Sequence, residues 1–184
     1  MEFSTGDHEG HEVTRREAPS CYFICMNPYA SYLGNQDPIR VLSETAGRLR
    51  EIAASLGKTK INQPCGPGKW SPHQIMVHLA DGEVTFAFRY RQALADGNHV
   101  IQPFDQDKWA KSSAAYTTEQ ALSVFAALRE WNLALLGSLT PEQLARPVSH
   151  PERGNMIVKT IIETAAGHDI NHLRQLEAAK HAAA

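Results

Sequence analysis

Cysteine is scarce: Cys21, Cys25 and Cys65 are the whole complement of the 184-residue chain. So small and odd a set does not supply the disulfide framework of a secreted domain, and a reducing, cytoplasmic setting is expected. Long apolar runs are missing as well. The stretch Cys21-Tyr22-Phe23-Ile24-Cys25-Met26 is too short for a signal-peptide core and follows the acidic Asp7-His8-Glu9, and nothing reads as a membrane span. There is no excess of positive charge: 18 Lys and Arg against 20 Asp and Glu leave a net charge of -2 and no footprint for a phosphate backbone or an anionic membrane. A small-molecule substrate is expected, with neither nucleic acid nor membrane as partner.

What remains is average globular usage, with 42% hydrophobic and 21% charged residues, in a chain long enough to enclose one core without staples. Residues 1–25 hold few large apolar side chains and read as a mobile tail, and Met26 opens the domain, residues 26–184. Asp37-Pro38 caps a first helix, whose apolar positions Ile39, Leu42, Ala46, Leu49, Ile52, Ala53 and Leu56 repeat at helical spacing until Gly57. Ser71-Pro72 starts a second in the same way. Ile75, Met76, Leu79, Val84, Phe86 and Phe88 carry it to about Leu94, antiparallel to the first.

From Asp96 to Thr117 the connection is longer and more aromatic than a helical hairpin needs, which predicts a packed crossover. Thr118 opens a third long helix through Leu122, Phe125, Leu128, Leu135, Leu136 and Leu139, and Thr140-Pro141 a short extra turn. A loop from Pro147 to Gly154 precedes the last helix, Met156 to Lys180. With no convincing strand run, the fold class is all-α: a four-helix bundle with a long crossover between helices two and three, which allows the middle helices to run parallel.

Chemistry concentrates in His168-Asp169-Ile170-Asn171-His172. Residues four apart stack on one helical face, so His168 and His172 can bind one cation together, and the row Ile161, Ala165, His168, His172, Leu176 places both in a core-facing stripe. Alone, such a pair points first to two histidines satisfied in other ways. A third donor is needed, and His78, amid Ile75, Val77 and Leu79, is the best candidate. Three imidazoles would leave an ion with an open position, as catalytic sites do.

Other metal patterns fail on spacing. Asp169 stands where the His-Glu-x-x-His motif requires glutamate, and neither Glu83, Glu130 nor Glu163 has a histidine three residues on, as di-iron bundles require. His8, His11, His99 and His181 read as solvated, His73 points elsewhere on its helix, and His150 reads as an ordinary loop residue with a chance of reaching the site. Gln175 could bond a metal-bound water or substrate, and Asp81 could orient His78, although helix-surface roles are more common. Trp70, Trp109 and Trp131 read as packing anchors, Trp109 on a segment able to cover the site.

Three segments together, Trp70 to Asp81, Pro103 to Trp109 and His168 to Gln175, resemble the DinB-like (DinB/YfiT) superfamily over about residues 26–177. The resemblance implies a metal-binding four-helix bundle, commonly a homodimer, whose histidine triad falls on His78, His168 and His172. It also implies a divalent ion, zinc, nickel or iron, and, as in its thiol-dependent S-transferases, activation of a low-molecular-weight thiol toward a small electrophile. A hydrolase using the same ion stays open. So does a non-catalytic, metal-stabilised bundle with a stress-related or small-molecule-binding role.

Overall fold

The structure, a computed structural model, describes residues 27–181. The expected tail, with His8, His11, Cys21 and Cys25, lies outside the described residues. A short helix α1 (Ala30–Leu33) leads into four long ones: α2 (Pro38–Lys60), α3 (Pro72–Ala95), α5 (Thr118–Leu136) and α7 (Val158–His181). Between them lie α4 (Gln106–Ala110), a 3-10 turn (Ser113–Ala115), α6 (Pro141–Leu144) and a hairpin of β1 (Pro147–His150) and β2 (Gly154–Ile157). The all-α bundle holds. The hairpin corrects the expectation of a plain loop: its strands are too short for a hydrophobic alternation to announce them, and Val100 bridges to Ser149, tying the crossover to β1.

Starts are set by side-chain caps. Asp37 accepts from the Arg40 N–H, and Ser71 with Gln74 and Thr117 with Gln120 form reciprocal capping boxes, the first followed by a proline whose missing N–H costs nothing there. Gly57 adopts φ 65°, a conformation that strains residues with a Cβ, so the regular part of α2 ends where its apolar spacing ends. Among the described residues, no helix is long and apolar enough to cross a membrane.

The end-to-end contacts fix the topology. His73 at the start of α3 meets Thr118 at the start of α5, and Arg91 near one end meets Asn132 near the other, so α3 and α5 run parallel. Lys60 reaches the Lys180 carbonyl, which makes α2 and α7 parallel too. Helices α2 and α3 are antiparallel, as expected, but stand diagonally, α2 packing on α5 and α7 and α3 on the same two. A chain passing from α3 to a parallel α5 must travel back the length of the bundle, which is why the crossover is long.

Two apolar clusters fill the core. One joins Leu42, Phe86, Tyr90, Leu136, Ile161 and Ala165; the other joins Leu49, Ile52, Met76, Leu79, Phe125 and Leu176. Between them a buried polar layer crosses the bundle: Thr45 on α2, Glu83 on α3, Arg129 and Asn132 on α5, Asp169 on α7. This corrects the apolar side expected for the third helix, where Leu128 and Leu135 are only half buried while Arg129 and Asn132 are buried. Val84, Phe88 and Trp131 are likewise exposed rather than core, Trp131 lying under the Arg91 guanidinium at 3.6 Å.

Gly167 on α7 lies tightly against the residue before α1. A Cβ there would overlap the Tyr29 carbonyl oxygen and stand 2.7 Å from the Tyr29 Cβ. Gly167→Ala should therefore lower stability by about 1–3 kcal/mol, read from the urea unfolding midpoint, by forcing the α1 segment off α7.

Candidate metal centre

His78 projects from the second turn of α3, and His168 and His172 from successive turns of α7; all three are buried. One ring nitrogen from each lies within 4.8 Å of the others, and the His78 and His168 Nε2 atoms are 3.0 Å apart. Two nitrogens sharing a tetrahedral ion at ordinary Zn–N lengths stand about 3.3 Å apart, so a small opening of this pair would admit one. The sequence reading thus named three residues that the fold brings together, and the three could hold one ion.

Burial keeps these groups free for a ligand. Loss of water, then the neighbouring His168, lowers the His78 pKa to about 3; loss of water, then His168 and His78, lowers that of His172 to about 2. Both imidazoles are neutral at physiological pH, with lone pairs available. In the metal-free protein the unfolded chain takes up protons on both below about pH 6.5, whereas the fold does not until about 3. Stability is therefore lost as pH falls through that window, by about 1.4 kcal/mol per pH unit for each histidine. Thermal melts of chelator-treated protein between pH 7 and 5 should show a steadily falling midpoint.

A surrounding shell orients the triad. The His172 Nδ1 lies 3.2 Å from the Gln175 Oε1, so with Nδ1–H donating there, Nε2 is the atom His172 has left for a ligand. Gln175 thus contacts the histidine, and it also lines a cleft beside His172. The Asp169 carboxylate is 3.9 Å from the His168 Nδ1, and Arg129 Nη1 holds its other oxygen at 2.6 Å while also donating to the Leu42 carbonyl at 2.9 Å. Arg129 Nη2 donates to Glu83 at 2.7 Å, and Asn132 satisfies the second Glu83 oxygen at 2.7 Å. Burial alone would raise the Asp169 pKa; Arg129 outweighs it and brings it to about 2.

Gly82 faces an imidazole rather than a backbone: a Cβ there would make an ordinary contact with the His168 Cε1 at 3.5 Å. Trp70 packs on His78 with ring centroids 5.0 Å apart, and Tyr29 stands edge-on to His168 at 5.3 Å. Asp81 makes no hydrogen bond to His78 among the described residues; its carboxyl is pushed up by partial burial. His73 is engaged by Thr118 and the Ser113 carbonyl, away from the triad. His99 is half buried against Phe88, not solvated.

Two clefts flank the triad. One, of about 340 Å³, reaches His78 and His168 past Phe86, Arg89 and Phe104; the other, of about 530 Å³, reaches His172 past Cys65, Trp70 and Gln175. Tyr29 and Gln106 line both. The crossover does cover the site, through Phe104 and Gln106, while Trp109 stacks on Phe104 from outside and is 42% exposed. His150 is buried on the wall of the first cleft and is not an ordinary loop histidine. What the sequence reading missed entirely is the Glu83–Arg129–Asn132 set; the arginine and asparagine in the inward register of the third helix were the available signal.

Known proteins resemble the chain in sequence and in fold. A candidate metal-dependent hydrolase of Oceanobacillus iheyensis is 29% identical over 70% of this chain and 75% of its own length. The candidate metal-dependent hydrolase YfiT of Bacillus subtilis is 28% identical over 75% of this chain and 81% of its own. The structure of YfiT, described as a probable metal-dependent hydrolase with an unusual four-helix bundle topology, covers 96% of this chain and 93% of its own at 20% identity, with a TM-score of 0.73. The DinB superfamily model matches residues 42–176, and the chain belongs to the DinB superfamily.

Proposed function

We propose that the protein is a divalent-metal-dependent enzyme that joins a low-molecular-weight thiol to a small electrophile. The observation that carries this reading is the pair of clefts flanking one triad: two approaches to a single centre suit a reaction that brings two small molecules together. When bound, a divalent ion supplies a Lewis acid that lowers the pKa of a thiol or water meeting it, and imidazole donors suit zinc, nickel or iron.

The residues of the chain divide the remaining work. His78 and His172 stay neutral, so they add no charge to offset that of the ion. Gln175 orients the His172 ring, and the Asp169 carboxylate stands 3.9 Å from the His168 Nδ1. Tyr29 and Gln106 stand between the clefts and limit how two small molecules can meet. In the transfer a carbon–sulfur bond forms, the leaving group departs with its electron pair, and the thiol proton passes to solvent.

The names of the relatives favour a second reading, hydrolysis. It would need a group to take the proton of water; Glu83 and Asp169 are committed to Arg129 and Asn132, which leaves Asp105, Asp107 and Glu152 on the cleft walls or the ion's own effect on water. Metal-loaded protein assayed with glutathione and other small thiols against 1-chloro-2,4-dinitrobenzene decides between them. Metal-dependent conjugate formation supports transfer; thiol-independent cleavage of simple esters supports hydrolysis. No turnover of either kind would leave a metal-stabilised bundle without catalysis.

A further inference from the structure

Arg89 is an unusual occupant of the first cleft. Its Nη2 donates to the Gln102 carbonyl at 3.2 Å, but its Nε is buried with no hydrogen-bond partner. Among the described residues it makes no ion pair, and neither does Arg153, which lines the same cleft. Two unpaired guanidinium groups beside each other are mutually unfavourable; burial, then the Arg153 charge, lowers the Arg89 pKa to about 10. A structural arginine in such a place would be expected to have a carboxylate, as Arg129 has two.

The acids that also line the cleft do not fill that role. The Asp105 carboxylate caps α4 and bonds Lys108 at 3.2 Å, and Glu152 is exposed and pairs with neither arginine. His150, which accepts from the Glu152 N–H through Nδ1, is buried on the same wall. The Phe86 ring stands between guanidinium and triad, its centroid 5.8 Å from the Arg89 Cζ and 6.0 Å from the His168 ring. Phe86 thus neighbours both groups, and a ligand lying along its ring would run from one toward the other.

We propose that Arg89, with Arg153 beside it, forms a carboxylate-binding subsite, holding the acid group of a short substrate whose reactive end reaches the histidine triad. This rests on the reading of the triad as the reactive centre. A carboxylate supplies the acceptors that the buried Nε and the second guanidinium lack, and charge-assisted pairing of that kind is about twice as strong as a neutral hydrogen bond. The acid group can belong to the thiol or to the electrophile.

Calorimetric titration of the full-length protein as purified tests this with two matched pairs: 3-mercaptopropionate against its amide, and glutarate against glutaramide. The acid of at least one pair should bind roughly tenfold or more tightly than its amide, with the preference lost in Arg89→Met and partly kept in Arg89→Lys. A preference confined to the mercapto pair assigns the acid group to the thiol; one shared by glutarate places it on the electrophile as well. Equal binding of acid and amide, no binding of either acid at millimolar concentration, or a preference that survives Arg89→Met overturns the subsite. Binding is read without turnover, so an Arg89-dependent preference in an inactive protein would keep the subsite and sink the transferase, and turnover without preference would do the reverse.

Discussion

Arg129→Met is expected to destabilise the fold by about 3–5 kcal/mol, the range for removing one partner from a buried ion pair. The side chain is 3% exposed and holds two buried carboxylates, Glu83 and Asp169, as well as the Leu42 carbonyl. Without it, two like charges face each other between the apolar clusters, and one of them must take up a proton or draw in water. Arg129→Lys keeps the charge but cannot fork to three acceptors, so an intermediate loss is expected. Removing all the charges together, with Glu83→Gln, Asp169→Asn and Arg129→Met in one chain, should recover much of the stability that the single change loses. Urea unfolding midpoints for the three proteins check the order. The ion pairs also set an acid limit: the folded Asp169 pKa is depressed below its ordinary 3.8, so its contribution is complete above that pH and is lost as pH falls toward 2.

His168→Ala is expected to reduce metal affinity by more than the roughly 10- to 100-fold that loss of an outer-shell partner costs, because it removes a donor itself. His168 is the member that faces His78 at 3.0 Å and shares a helical face with His172, so its loss leaves two donors on different helices. The thermodynamic consequence is separable from packing. Wild-type protein in the presence of metal at about a thousandfold its dissociation constant should gain about 4 kcal/mol over the metal-free form, and the variant should gain almost none at the same concentration. Melting both proteins with and without added zinc measures this difference directly.

The bundle was legible because its signals are local. Asp37, Ser71 and Thr117 begin helices through contacts three residues away, and the apolar spacing between them needs no knowledge of the partner helix. The triad was legible for a related reason: His168 and His172 share a face by spacing alone, and His78 sits in an equally apolar row. The polar layer was not, because Glu83, Arg129 and Asp169 are separated by dozens of residues, and the inward register of Arg129 names no partner until the others are placed against it. Arg89 was missed, and His150 given only a lesser role, for the same reason: the wall they share exists only after the crossover has paired with β1 at Val100 and Ser149. Neighbourhood of α2 and α3 was equally out of reach, since diagonal and adjacent antiparallel helices carry the same apolar stripe.

The central claim is that His78, His168 and His172 hold one ion, and elemental analysis of untagged protein purified without added metal tests it most directly. The account predicts about one divalent ion per chain. A chain that carries none, and that takes up none of zinc, nickel or iron when dialysed against them, would contradict it.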